Sequence, residues 1–132
     1  MSTLAFRLKP GEDLRSGIQQ VVEYHKIEAG WVAACAGSLT DYAIRFANQE
    51  GLSRGSGHFE IVSLSGTVSR NGSHLHVSIS DSTGRVIGGH LAEGCKIYTT
   101  AEIILQATDR YRFTREKDGT TPWEELQIRD LE

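Results

Sequence analysis

The stretch Leu64-Ser65-Gly66-Thr67-Val68-Ser69-Arg70-Asn71-Gly72-Ser73-His74-Leu75-His76-Val77-Ser78-Ile79 decides the fold. On both sides of Asn71-Gly72, apolar residues alternate with Ser, Thr and His, the two-residue period of a strand with one greasy face. Asn-Gly between two such runs is the strongest short-range hairpin signal, because a type I′ turn needs positive φ at both central residues. A two-residue loop sets Thr67 across from His76, Val68 from Leu75 and Ser69 from His74. One face then carries Ser65, Thr67, Ser69, His74, His76 and Ser78, and the other carries Leu64, Val68, Leu75, Val77 and Ile79. A helix should pack on the apolar side.

The next turn, Ser82-Thr83-Gly84, has the length and terminal glycine of a three-residue loop closed by a left-handed bulge. It places His90 directly across from His76, with Cβ atoms about 5 Å apart, and His74 lies about 7 Å along the same face. Gly88 falls on that face too and is expected to leave an open spot beside the rings. Three imidazoles on two adjacent strands suit a divalent ion such as Zn²⁺, which takes three protein nitrogens and keeps a fourth position for water or a ligand. The competing reading is a solvated polar face that tolerates histidines. Cys95 is either a soft fourth ligand or a buried structural thiol. Glu102 interrupts the apolar run from Ile97 to Leu105; it is either partner-satisfied or an orienting acceptor behind a ligand histidine.

Working outward, residues 3–9 alternate as a strand ended by Pro10-Gly11. Leu14, Ile18, Val21, Val22 and His25 form one helical stripe, which predicts a helix over about 12–28 with Glu12 and Asp13 at its positive end and Gly30 just past its C-terminus. His25 reads as a core or interface histidine, and His58 has no assigned partner. Further strands are expected at Trp31–Leu39, Tyr42–Ala47, Phe59–Arg70, His74–Ser80 and Arg85–Leu91, with a long run from Ile97 to Phe113. The fold class is α+β: an antiparallel sheet with one main helix on its apolar face.

The chain has 132 residues, 39% hydrophobic and 23% charged, enough for one core and no more. It reads as a single domain, 1–132, with an acidic tail over about 115–132. Fourteen basic residues face seventeen acidic ones, for a net charge of −3, and the tail holds three basic residues against six acidic ones. That balance disfavours a basic nucleic-acid module, which must neutralise several phosphates. No apolar run spans a membrane, the N-terminus lacks the layout of a secretory leader, and Cys35 and Cys95 are too few for a disulfide framework. A cytoplasmic protein without a disulfide is expected.

Other motif matches lack context. Gly51-Leu52-Ser53-Arg54-Gly55 spells G-x-S-x-G without the strand before and helix after that a nucleophile elbow needs. Gly55-Ser56-Gly57 lacks the third glycine and the helix of a dinucleotide fingerprint. Arg110-Tyr111-Arg112-Phe113 interleaves cations and aromatics as a single-strand nucleic-acid surface does, although two arginines on a strand more simply make a solvated face.

The segments Gly57-His58-Phe59-Glu60-Ile61-Val62-Ser63-Leu64-Ser65-Gly66, His74-Leu75-His76-Val77-Ser78-Ile79-Ser80-Asp81 and Gly84-Arg85-Val86-Ile87-Gly88-Gly89-His90-Leu91 resemble the plants-and-prokaryotes conserved (PPC) domain family, as do Pro10-Gly11-Glu12-Asp13-Leu14 and Ala36-Gly37-Ser38-Leu39. The resemblance covers about 6–115. It implies an antiparallel α+β fold, a homotrimer, and a metal site, with zinc the expected ion, at His74, His76 and His90 beside a cleft at the subunit boundary. In plant members the domain follows an AT-hook and carries a Gly-Arg-Phe-Glu-Ile-Leu-like contact motif. Here His58 and Val62 stand in place of that Arg and Leu, and the sequence contains no such hook. Glu60 reads as a structural or subunit-contact residue. Three functions follow, in this order: a metal-dependent binding protein or enzyme, with a small-molecule ligand or an acidified water for hydrolytic chemistry at the ion, a DNA-associated regulator, and a protein-interaction scaffold with a structural metal.

Overall fold

The computed structural model describes residues 1–132. Eight strands and one helix follow in the order β1 (Ser2–Leu8), α1 (Leu14–Tyr24), β2 (Gly30–Arg45), β3 (Ser53–Val68), β4 (His74–Ser80), β5 (Val86–Leu91), β6 (Lys96–Ala107), β7 (Tyr111–Glu116) and β8 (Glu125–Asp130). The first six strands form an antiparallel sheet ordered β1-β6-β2-β3-β4-β5, and β7 pairs with β8 as a separate ribbon. The α+β class stands. No helix is long and apolar enough to cross a membrane.

Beyond the end of β6, the last residues of β2 pair with β5, Ile44 against Leu91 and Arg45 against His90. The sheet therefore curls until β2, β3, β4 and β5 close on themselves at one end. Bulges in β2, after Val32, Gly37 and Leu39, supply the bending. Leu64, Val68, Leu75, Val77 and Ile79 all point into the core, as the alternation requires. The helix lays Leu14, Ile18 and Val22 onto that surface, all three fully buried.

The helix is shorter than its apolar stripe predicts. Asp13 is its N-cap and accepts from the Ser16 amide at 2.9 Å. At the other end Lys26, not Gly30, takes the left-handed conformation, at φ 53°. The Lys26 amide donates to the Glu23 carbonyl and the Ile27 amide to the Val22 carbonyl, the bond pair of a Schellman cap. Ile27, just past the cap, is buried, and that apolar anchor fixes where the helix stops. His25 sits at the C-cap, exposed, edge-on to Tyr24, so it is not a core histidine.

The first hairpin departs from its expected register by two residues. Thr67 faces His74, Gly66 faces Leu75 and Ser65 faces His76, so the connection is the five residues 69–73. Asn71 does not have positive φ, which rules out type I′. Tertiary hydrogen bonds override the turn preference. The Asn71 side-chain amide donates to the Phe113 carbonyl and to Glu28, the Ser69 hydroxyl donates to the same carbonyl, and the Arg70 amide donates to the Ile27 carbonyl. A slip of two keeps every side chain on its face, so the division into greasy and histidine sides survives.

Candidate metal centre

Two strand pairings bring the imidazoles together. The turn at 82–84 forms as expected, with Gly84 at φ 83°, and His76 pairs with His90. Ring centroids lie 4.9 Å apart for His74 and His76, 5.3 Å for His74 and His90, and 6.1 Å for His76 and His90. One nitrogen from each ring falls within 4.8 Å of the others. A tetrahedral ion with Zn–N bonds of about 2.0–2.1 Å holds its nitrogens about 3.4 Å apart, a closure within reach of the broad χ2 torsion of histidine.

The strongest sign that these residues fit a metal is a single atom. His90 Nδ1 is buried and has no hydrogen-bond partner, a condition that costs about 1–3 kcal/mol unless something satisfies the nitrogen. Burial, then the neighbouring His74, Arg45 and His76, push the His90 pKa down to about 4. His74 is lowered by burial first and then by Arg115 and His76, with Glu125 opposing. Both rings are therefore held neutral, the form that ligates.

The other expected site residues lie elsewhere. Glu102 stands on β6, opposite Arg7 and Ala36, and accepts from the Thr100 hydroxyl at 3.3 Å. β2 lies between it and His90, and β2 and β3 lie between it and His74 and His76, so it is not brought to the cluster and orients none of the rings. Cys95 is fully buried, exchanges hydrogen bonds with the Ala43 backbone, and has its thiol pushed up to about 11 by burial; it is a structural thiol. Gly88 does not open a space: a Cβ there would fall 2.6 Å from the Val77 carbonyl oxygen, so the close approach of β4 demands glycine. Ser53 begins β3 with no helix after it. Arg110 is paired with Asp130 at 3.0 Å and Arg112 with Glu28 at 3.6 Å, a solvated face. His58 stacks on Tyr98 at 4.6 Å, and Glu60 is exposed between Ser38 and Ser80.

The site also has walls absent from the sequence reading. A cleft of about 300 Å³ beside His74 and His76 is lined by Ser65, Gly66 and Thr67 from β3 and by Arg115, Glu125 and Leu126 from the β7–β8 ribbon. Arg115 donates to the Thr67 hydroxyl at 3.1 Å, next to His74 in the register. The available signal was the alternation of Leu126 and Ile128 with Gln127 and Arg129, which marks a strand inside the acidic tail.

Comparison with known proteins gives the family and the fold. The sequence profile of the Plants and Prokaryotes Conserved (PCC) domain matches residues 1–109. The bifunctional protein GlmU of Synechococcus sp. (strain JA-2-3B'a(2-13)) is 42% identical over 125 residues, 95% of this chain, and this chain spans 20% of that relative's length. A hypothetical protein from Salmonella cholerae-suis superposes with a TM-score of 0.96 at 37% identity, covering 98% of this chain and 94% of the other. A metal-containing protein from Archaeoglobus fulgidus superposes at 0.78 with 25% identity, covering 96% and 94%. A Bacteroides thetaiotaomicron protein provisionally labelled DNA-binding shares the fold at 0.80 with 16% identity, covering 98% and 93%.

Proposed function

The chain belongs to the Plants and Prokaryotes Conserved domain family, and from that premise we propose that it binds one divalent ion, zinc, through His74, His76 and His90 and works as a homotrimer in the cytoplasm. The observation that carries the metal is the convergence of three imidazoles around a buried, unpartnered His90 Nδ1. Three neutral nitrogens with a remaining open position suit zinc's preference for tetrahedral nitrogen ligation. When bound, such an ion supplies Lewis acidity and acidifies a coordinated water. The chain's own contribution is to hold His74 and His90 neutral and all three rings fixed on two paired strands beside a polar cleft. Trimerisation would cover the outer edge of β1, whose only strand partner here is β6.

Duplex DNA fits less well. The net charge is −3, and Arg70, Arg110 and Arg112 are each engaged with an acidic side chain, so the interleaved cation–aromatic strand is already neutralised by the protein's own carboxylates. The scaffold reading predicts that partner proteins still bind after chelation.

Thermal unfolding with and without Zn²⁺ tests the metal. A ligand at about 100 times its Kd stabilises by about 2.7 kcal/mol, so the transition should rise by several degrees and the rise should vanish in His76→Ala. A wild type indifferent to zinc would remove the proposal.

A further inference from the structure

The β7–β8 ribbon lies past residue 109, where the match to the family profile ends, yet it forms one wall of the histidine cleft through Arg115, Glu125 and Leu126. The Arg115 guanidinium makes one hydrogen bond, to the Thr67 hydroxyl, and no ion pair. Glu125 does not approach it as an ion pair, and accepts instead from the Thr121 hydroxyl at 2.7 Å. On the opposite flank Arg45 stands across from His90 and donates only a long 3.4 Å bond to the Gln49 carbonyl. The ribbon is docked firmly enough to serve as a wall. The Phe113 amide donates to the Glu28 carbonyl, and the Phe113 carbonyl accepts from Ser69 and Asn71.

We propose that this ribbon makes the histidine cleft a receptor for a small hydroxylated oxyanion, with Arg115 gripping the oxyanion and Glu125 accepting from its hydroxyl. The inference rests on the metal reading of the same site. Its basis is local charge: a divalent ion on three neutral imidazoles, flanked by Arg115 and Arg45 and opposed by Glu125 alone, is an excess of positive charge in a protein whose net charge is −3. An arginine presents planar paired donors that match the two oxygens of a carboxylate or phosphate. One carboxylate beside that arginine, not paired with it, suits a ligand that brings its own donor. The cleft, about 300 Å³, fits a molecule at the small end of ligand size.

The full chain loaded with Co²⁺, whose visible spectrum responds to an incoming ligand, tests this with acetate, glycolate and inorganic phosphate as probes. Each should shift the spectrum saturably, with glycolate tighter than acetate. Arg115→Ala should raise the Kd of all three at least tenfold while leaving Co²⁺ affinity within twofold, and Arg115→Lys should fall between. Glu125→Ala, which removes the acceptor, should erase the preference for glycolate over acetate. Should Arg115→Ala fail to fold, Arg115→Lys decides the point. A normal cobalt spectrum with anion affinities indifferent to both Arg115 substitutions overturns this inference alone. A chain that takes up no cobalt overturns the metal reading and this inference with it. The tighter of glycolate and phosphate assigns the ligand's acid group.

Discussion

At the scale of single residues, the protonation of His90 shows how the cluster is held. Its pKa of about 4 lies below the ordinary 6.5, so between those values an unfolded chain takes up a proton that the folded chain refuses. Stability of the metal-free protein should therefore be level above pH 6.5 and fall as the pH drops toward 4. Thermal unfolding across that range should show the decline, and His90→Gln should flatten it; an unchanged slope in that variant would place the sensitivity elsewhere. Gly66 is a second residue-scale determinant. Its φ is 137°, and a Cβ would land on the His74 carbonyl oxygen. Gly66→Ala combines a backbone conformation that L residues avoid with a steric clash, and should lose about 2 kcal/mol or more in denaturant unfolding while weakening zinc binding through displaced His74. The histidine trio was legible in the sequence because His74 and His76, two apart on one strand, share a face whatever that strand's register, and because the 82–84 turn sets His90 across from His76 as expected. Glu102 was misleading because an apolar run reveals that a carboxylate is unusual, but not that its strand pairs with β1 and β2 rather than with the histidine strands.

At the scale of elements, capping and docking set the boundaries. Asp13 is more than a helix cap. One carboxylate oxygen accepts from Ser16, and the other accepts from the Gly94 and Cys95 amides at 2.7 and 3.1 Å, joining the helix start to the segment between β5 and β6. An ordinary N-cap is worth about 1 kcal/mol, and two further amides left unpaired cost about 1 kcal/mol each or more. Asp13→Ala should therefore lose about 3 kcal/mol, and a loss below 1 kcal/mol in urea unfolding would show that the two outer amides find water instead. The hairpin at 82–84 was readable because its turn has no tertiary partner to compete with local preference, and its register matches the expected one throughout. The turn at Asn71-Gly72 was not, because Phe113 and Glu28 claim its side chains, and sequence near the turn carries no trace of them. The helix ends where Ile27 finds the core, a tertiary event that the stripe alone cannot date.

At the scale of the whole molecule, two features eluded the sequence for the same reason. The closure of β2 onto β5 and the docking of β7–β8 beside the histidines are long-range contacts, made between segments whose local patterns say only that they are strands. An acidic composition over 115–132 hid Arg115, the one cation there that reaches the cleft. If the chain assembles as proposed, light scattering should return about 43 kDa, three times the 14.5 kDa chain; a mass that stays at one chain across micromolar concentrations would remove the trimer. Such a result would leave the ion untouched, since all three of its ligands come from one chain.

Elemental analysis of the protein purified without added metal bears most directly on the site. A three-histidine centre requires close to one zinc per chain in the wild type and next to none when His74 and His90 are both replaced by alanine in a chain that still folds. Metal retained at full occupancy in that double variant, or none in a wild type then offered zinc, would contradict it.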